Sequence, residues 1–265
     1  MSHAKKWLQT MKISWVKNTA YRFNFFLQVI GPALIFFFVK YSLWKTIYKS
    51  SPEEMIQGYT FTAMITYHIW SFVVSMIGQG HSALDMAVDI RMGRISSYLI
   101  YPFNFWEFHT ASFLSFQILQ IIISIVTLGI FLATGILESL SFFHFFLGLS
   151  ASIYVSLFWF VLQYLTGIIG FWLEETWIIR VSLQVITVFL SGAVFPLDLF
   201  PEVWRNILDY TPFPYLTYYP IKIFMGQEVP YLKFIYTLGA WLITVLTINT
   251  IVWRRGIRNY TAAGM

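Results

Sequence analysis

Apolar residues along this chain come in long blocks, and the polar stretches between them are short. A helix needs roughly 20 apolar residues to cross a hydrocarbon core, and it pairs its backbone groups internally. Six blocks meet that length: 21–43, 59–78, 113–137, 142–172, 177–195 and 234–253. The pattern therefore predicts an all-α integral membrane protein with six transmembrane helices. Gly31-Pro32 predicts a kink in the first block, and the length of the fourth leaves room for tilt. The link around Glu138-Ser139 is so short that the third and fourth blocks form a helical hairpin. No internal repeat, low-complexity tract or soluble domain interrupts the pattern, so residues 1–265 are read as one transmembrane domain.

Three segments fit no span. In 4–17, Trp7, Leu8, Met11 and Trp15 share one helical face, while Lys5, Gln9, Lys12 and Lys17 lie elsewhere. A basic helix with a tryptophan stripe predicts an N-terminal amphipathic helix in the interface; the plainer alternative is a flexible basic tail. In 80–105, Ser82 and Asp85 resemble a capping box with Asp in place of Glu. A short helix carrying Asp89 then runs to about Met92, with Arg91 near its end, Gly93 placed to stop it and Arg94 just beyond. Ser96, Ser97 and Pro102 carry the chain onward. Such a helix serves equally as a docking element for a soluble partner or as an interfacial anchor. In 191–226, Gly192, Pro196, Pro201, Pro212, Pro214, Pro220 and Gly226 are scattered among Phe, Leu, Trp and Tyr. That is too apolar for a solvated loop and too broken for a span, so a re-entrant segment is expected, with one short helix over 201–210.

Composition agrees with the pattern. Hydrophobic residues make up 58% of the chain and charged ones only 11%, about half the charge of a soluble domain. The net charge of +5 comes from basic residues at span ends and termini, which indicates membrane orientation and not nucleic-acid binding. Lys5, Lys6, Lys12, Lys17, Arg22, Arg91, Arg94, Arg180, Arg254, Arg255 and Arg258 fall on one side. The opposite side holds the smaller set of Lys40, Lys45, Lys49, Arg205, Lys222 and Lys233. Both termini and the 80–105 loop are thus expected in the cytoplasm. The start of the chain, broken by lysines and without a small-residue cleavage site, does not read as a signal peptide.

Candidate chemistry is sparse. The absence of cysteine excludes thiol catalysis, disulfides and cysteine metal sites. His3, His68, His81, His109 and His144 show no metal-binding spacing. His68 alone lies mid-span, where a functional ionisable group and a hydrogen-bonded packing residue are both open readings. Glu174-Glu175 read as a solvated turn more readily than as a proton-coupling pair. The nearest approach to a nucleotide-binding loop, Gly78-Gln79-Gly80, lacks the lysine that would hold phosphate. Any ATP that drives this protein is therefore expected on another polypeptide.

Three short stretches point further. They are Ile90-Arg91-Met92-Gly93-Arg94 followed by Leu99-Ile100-Tyr101-Pro102; Ser191-Gly192-Ala193-Val194-Phe195-Pro196-Leu197 with Leu199-Phe200-Pro201; and the ending Trp253-Arg254-Arg255-Gly256-Ile257-Arg258-Asn259-Tyr260. In this order, and with the same arrangement of segments, the chain resembles the ABC-2-type permeases, the membrane subunits of type-2 ABC exporters. It is most similar to a bacterial branch in which two permeases pair. The resemblance implies a non-enzymatic permease in the cell membrane that exports an amphiphilic or hydrophobic substrate. Its partners would be a cytoplasmic ABC ATPase dimer, which holds ATP and magnesium, and a second permease, identical or paralogous. No cofactor is expected on this chain. The 80–105 segment would be the coupling helix, with Asp85, Asp89, Arg91, Gly93 and Arg94 facing the ATPase. Phe195, Pro196, Pro201 and Trp204 would belong to the outer gate, and Trp7, Met11 and Trp15 to the interfacial helix. A stand-alone secondary transporter would need midplane ionisable groups and related halves, and an intramembrane enzyme converging acid–base residues. Only His68 speaks for the former and nothing for the latter.

Overall fold

A computed structural model describes residues 3–20, 31, 36–49, 55–79, 84–100, 103–133, 135, 137 and 141–260. Helices account for about four-fifths of these residues. The order is α1 (His3–Thr19), a π-helical turn (Phe36–Tyr41), α2 (Ser42–Lys49), α3 (Phe61–Gln79), α4 (Leu84–Arg91) and α5 (Ile95–Ile100). Then come α6 (Phe105–Ala133), α7 (Phe142–Ile168) with a 3₁₀ turn (Ile169–Phe171), and α8 (Trp177–Leu190). A second 3₁₀ turn (Leu197–Leu199), α9 (Glu202–Leu208), α10 (Phe213–Leu216), α11 (Tyr218–Phe224) and α12 (Tyr231–Asn259) complete the chain. No strand occurs among the described residues, only an isolated bridge between Ile56 and Tyr59.

Four of these helices are long and apolar enough to cross a membrane: α3, α6, α7 with its 3₁₀ turn, and α12. They correspond to the second, third, fourth and sixth blocks of the sequence. Most of the first block, including Pro32 of the expected Gly31-Pro32 kink, lies outside the described residues, as does the link around Glu138-Ser139. The fifth block is helical only over the 14 residues of α8. At 1.5 Å per residue that is about 21 Å, short of a core about 30 Å thick. Ser191–Phe195 is as apolar as a span, but there the chain turns. The third block starts earlier than expected because Asn104 and Glu107 close a capping box: the Asn104 N–H donates to Glu107 Oε2 (3.1 Å) and the Glu107 N–H to Asn104 Oδ1 (2.8 Å).

The centre of the packing is α7, which touches α3, α4, α11 and α12. Its Val155, Phe158 and Trp159 are fully enclosed, and so are Ser152, Ser156 and Gln163. Lipid is as apolar as leucine, so close packing and hydrogen bonds hold such helices together more than burial from water does. Gly148 permits a close approach: a Cβ there would lie 2.6 Å from the Phe224 ring of α11. That ring stacks on Trp70 of α3 at 4.2 Å and 6°, so one glycine sets how α7, α11 and α3 meet. Helix α1 lies alongside the start of α6, with Trp7 edge-on to Phe103 (5.7 Å) and Ser14 hydrogen-bonded to Ser112 (2.9 Å). Trp7, Met11 and Trp15 are half-buried on that side, while Leu8, placed on the same face by the sequence, is exposed.

Candidate functional site

Two regions gather polar side chains into defined geometry: the α4–α5 hairpin, and the segment between α8 and α12.

The hairpin forms because α4 must stop at Gly93. That residue has φ +73°, a left-handed conformation that glycine adopts without a Cβ penalty. The Gly93 N–H then reaches the Ile90 carbonyl (3.2 Å) and the Arg94 N–H the Asp89 carbonyl (2.9 Å), the paired bonds of a Schellman stop. Asp89 joins the two short helices: it accepts from Tyr98 Oη on α5 (3.0 Å) and from Arg94 (3.3 Å), and lies 3.8 Å from His109 Nε2 on α6. Met86, Ile90 and Ile95 fill the space beneath, where α4 packs on α7 and its 3₁₀ turn. Arg91 pairs across the surface with Glu175 at 3.2 Å.

The residues named in advance for this loop thus divide. Arg91 and Arg94 are exposed, Gly93 sets the turn, and Asp89 is buried, facing the interior of the protein. Asp85 sits in the first turn of α4, where its side chain lies outside the described residues, as does Ser82. The sequence pattern does not predict helix α5, nor Tyr98 and His109 as neighbours of Asp89, nor Glu175 as the partner of Arg91.

On the opposite side, the turn after α8 presents carbonyls to α3. Tyr67 Oη donates to Gly192 (2.7 Å) and Ser71 Oγ to Ala193 (3.3 Å), while Lys40 Nζ also donates to Ala193 (2.6 Å). His68, fully enclosed, accepts from the Trp44 indole at Nε2 (2.6 Å) and has Lys40 Nζ 3.3 Å from Nδ1. A second cluster centres on Asp198, which receives Tyr218 (2.6 Å), Tyr59 (2.7 Å) and Lys222 (3.2 Å). Burial alone would raise the Asp198 carboxyl, but the two phenol hydrogen bonds and the lysine outweigh it and hold it below the usual aspartate value. Phe195 meets the Trp44 ring edge-on at 6.4 Å, and Pro196 is buried beside it. Pro201 instead starts α9, and Trp204 stands exposed on that helix, away from both clusters. Asp198 is a lone carboxylate in an apolar run, the one sequence signal that would have singled it out.

A family profile described as an ABC-2 family transporter protein matches residues 34–264. This chain belongs to that family. It is an ABC-2-type permease, a multi-pass membrane protein of an ABC transporter. The match takes in both polar regions of this ABC-2 transporter protein and begins after α1. A comparison with curated proteins finds no match.

Proposed function

We propose that this ABC-2 permease is the membrane-spanning subunit of an ABC exporter. It moves an amphiphilic or hydrophobic substrate out of the cytoplasm, driven by ATP hydrolysis on a separate cytoplasmic ATPase dimer that carries ATP and magnesium. It resides in the cell membrane with both termini and the α4–α5 hairpin in the cytoplasm. A second permease pairs with it. The six-span arrangement is completed by the chain preceding α2 and by α8 with the turn that follows. The α4–α5 hairpin is the coupling element and the segment from Phe195 through Trp204 the outer gate.

The observation that carries this proposal is the way the hairpin is bonded together and seated on α7. A helix stopped by a Schellman turn, tied to its neighbour through buried Asp89 and seated on α7, moves as one body and passes a push into the spans. Its exposed arginines, Arg91 and Arg94, are the groups a soluble partner meets first. In vesicles reconstituted with the cognate ATPase, Gly93→Val forces a branched side chain into left-handed backbone and opens the turn. ATP hydrolysis should persist while transport falls about tenfold or more, with insertion intact. Transport at the wild-type rate would remove the hairpin from the transmission. Purification in mild detergent should also bring down a soluble subunit with a phosphate-binding loop. Active transport by a preparation lacking any such subunit would favour a stand-alone secondary transporter.

A further inference from the structure

On the α12 flank, a cleft of about 380 Å³ opens between the start of α6, the end of α7 and the last turns of α12, within the roughly 300–1,000 Å³ usual for ligand pockets. Its walls are aromatic and held in place: Trp106 lies edge-on to Tyr164 at 4.6 Å, and Trp253 stacks on Phe105 at 5.1 Å and 21°. Asn249, almost fully buried, ties α12 to α7 by donating to the Val161 carbonyl (2.8 Å). Along α12 the lining runs from Leu246 to Arg254, about 12 Å at 1.5 Å per residue. One end is therefore hydrocarbon in character and the other cationic. Arg254 is exposed and makes no ion pair or hydrogen bond among the described residues. The one carboxylate at this end of α6, Glu107, is turned back into its capping box. Ile243 and Ile251 on the same helix are exposed and apolar, so a membrane-spanning α12 carries lipid along the helix that lines the cleft.

We propose that this cleft is a binding site for an anionic phospholipid of the leaflet that borders Arg254. The headgroup phosphate pairs with the Arg254 guanidinium, which is shaped to take two phosphate oxygens at once. Trp106 and Trp253 sit at the glycerol level, where amphipathic rings favour the boundary between water and hydrocarbon, and an acyl chain lies along Leu246. A basic pocket between spans is the usual form of headgroup recognition. The apolar end is what separates this site from a plain anion site. The assignment is independent of the transport role, because it concerns what the α12 flank holds and not what crosses the membrane.

Native mass spectrometry of the purified full chain, with any subunits that accompany it, tests the site. After equilibration with phosphatidylglycerol and phosphatidylcholine at equal concentration, the wild-type protein should retain phosphatidylglycerol. Arg254→Gln should weaken that retention about tenfold, and Thr250→Trp, which fills the cleft and keeps the arginine, should weaken it comparably. Arg255→Gln, one position away and outside the lining, should leave it unchanged. Inorganic phosphate at millimolar concentration should not displace the lipid. Equal loss in Arg255→Gln would reduce the effect to diffuse surface charge, and displacement by phosphate would reduce the site to an anion contact. Retention of phosphatidylcholine to the same degree would remove the role of Arg254. Each of these three outcomes overturns the proposal, as does unchanged retention in a well-folded Thr250→Trp protein.

Discussion

At the scale of single residues, Asp198 is the most consequential group of the segment between α8 and α12. Its carboxylate gathers Tyr59 from before α3 and Tyr218 and Lys222 from α11, and those partners hold it ionised against burial. The sign of its pH dependence follows. A depressed carboxylate contributes stability above its ordinary value and loses that contribution as pH falls through the lowered one. Asp198→Asn should cost about 1–3 kcal/mol, read as a lower melting temperature in detergent. The gap between variant and wild type should stay constant from about pH 5 to about pH 8 and close only below about pH 4. A gap that closes near neutrality would mean that a different group holds the cluster. On the other side of the protein, Asp89 makes an analogous prediction: Asp89→Ala frees Tyr98 and Arg94 together. It should loosen the hairpin, seen as faster amide exchange across Met92–Tyr98, while leaving α7 protected.

At the scale of elements, the contact of α7 with α11 depends on what Gly148 lacks. Gly148→Ala places a methyl against Phe224, and overpacking of this kind costs about 1–3 kcal/mol. Phe224→Leu should recover part of that loss, and a double-mutant cycle on thermal stability will show coupling between the two positions. Additive effects would mean that α7 and α11 adjust independently. The same scale shows what was legible beforehand. The end of α4 was readable because Arg91 and Gly93 are a local stop signal, and α3, α7 and α12 were readable because length and apolarity alone mark a span. Helix α5 was not: six residues with Ser96-Ser97 in the middle have little helical preference of their own, and packing on α6 makes the helix. The end of α8 was misjudged because hydropathy does not distinguish a span from an apolar turn whose carbonyls are satisfied by Tyr67, Ser71 and Lys40. The Asp198 cluster was hidden for another reason. Tyr59 lies 139 residues away in sequence, and no local pattern announces a partner at that distance.

For the whole molecule, the proposed pairing with a second permease predicts that the partner meets the exposed face of α8. Ile178, Val181, Val185 and Phe189 stand out along it, with the spacing of one helical face. A photo-crosslinking residue at Val185 should trap a membrane partner of permease size, whether identical or paralogous. The same residue at Ile125 on α6, equally exposed, should trap none. Equal yields at the two positions would mean that α8 meets only lipid.

The enclosure of α7 also bears on how the protein is made. Ser152, Ser156 and Gln163 are buried on α7, which packs against α11 and α12, helices synthesised after it. While those helices are still being translated, the Ser152 and Ser156 hydroxyls can already bond back to the Gly148 and Ile153 carbonyls of α7 itself, but the Gln163 amide is left uncovered. That flank of α7 stays open until α12 arrives and Asn249 clips onto Val161. A message truncated just before Tyr231 would yield a product that inserts yet cannot close, and membrane quality control would find it by that open flank.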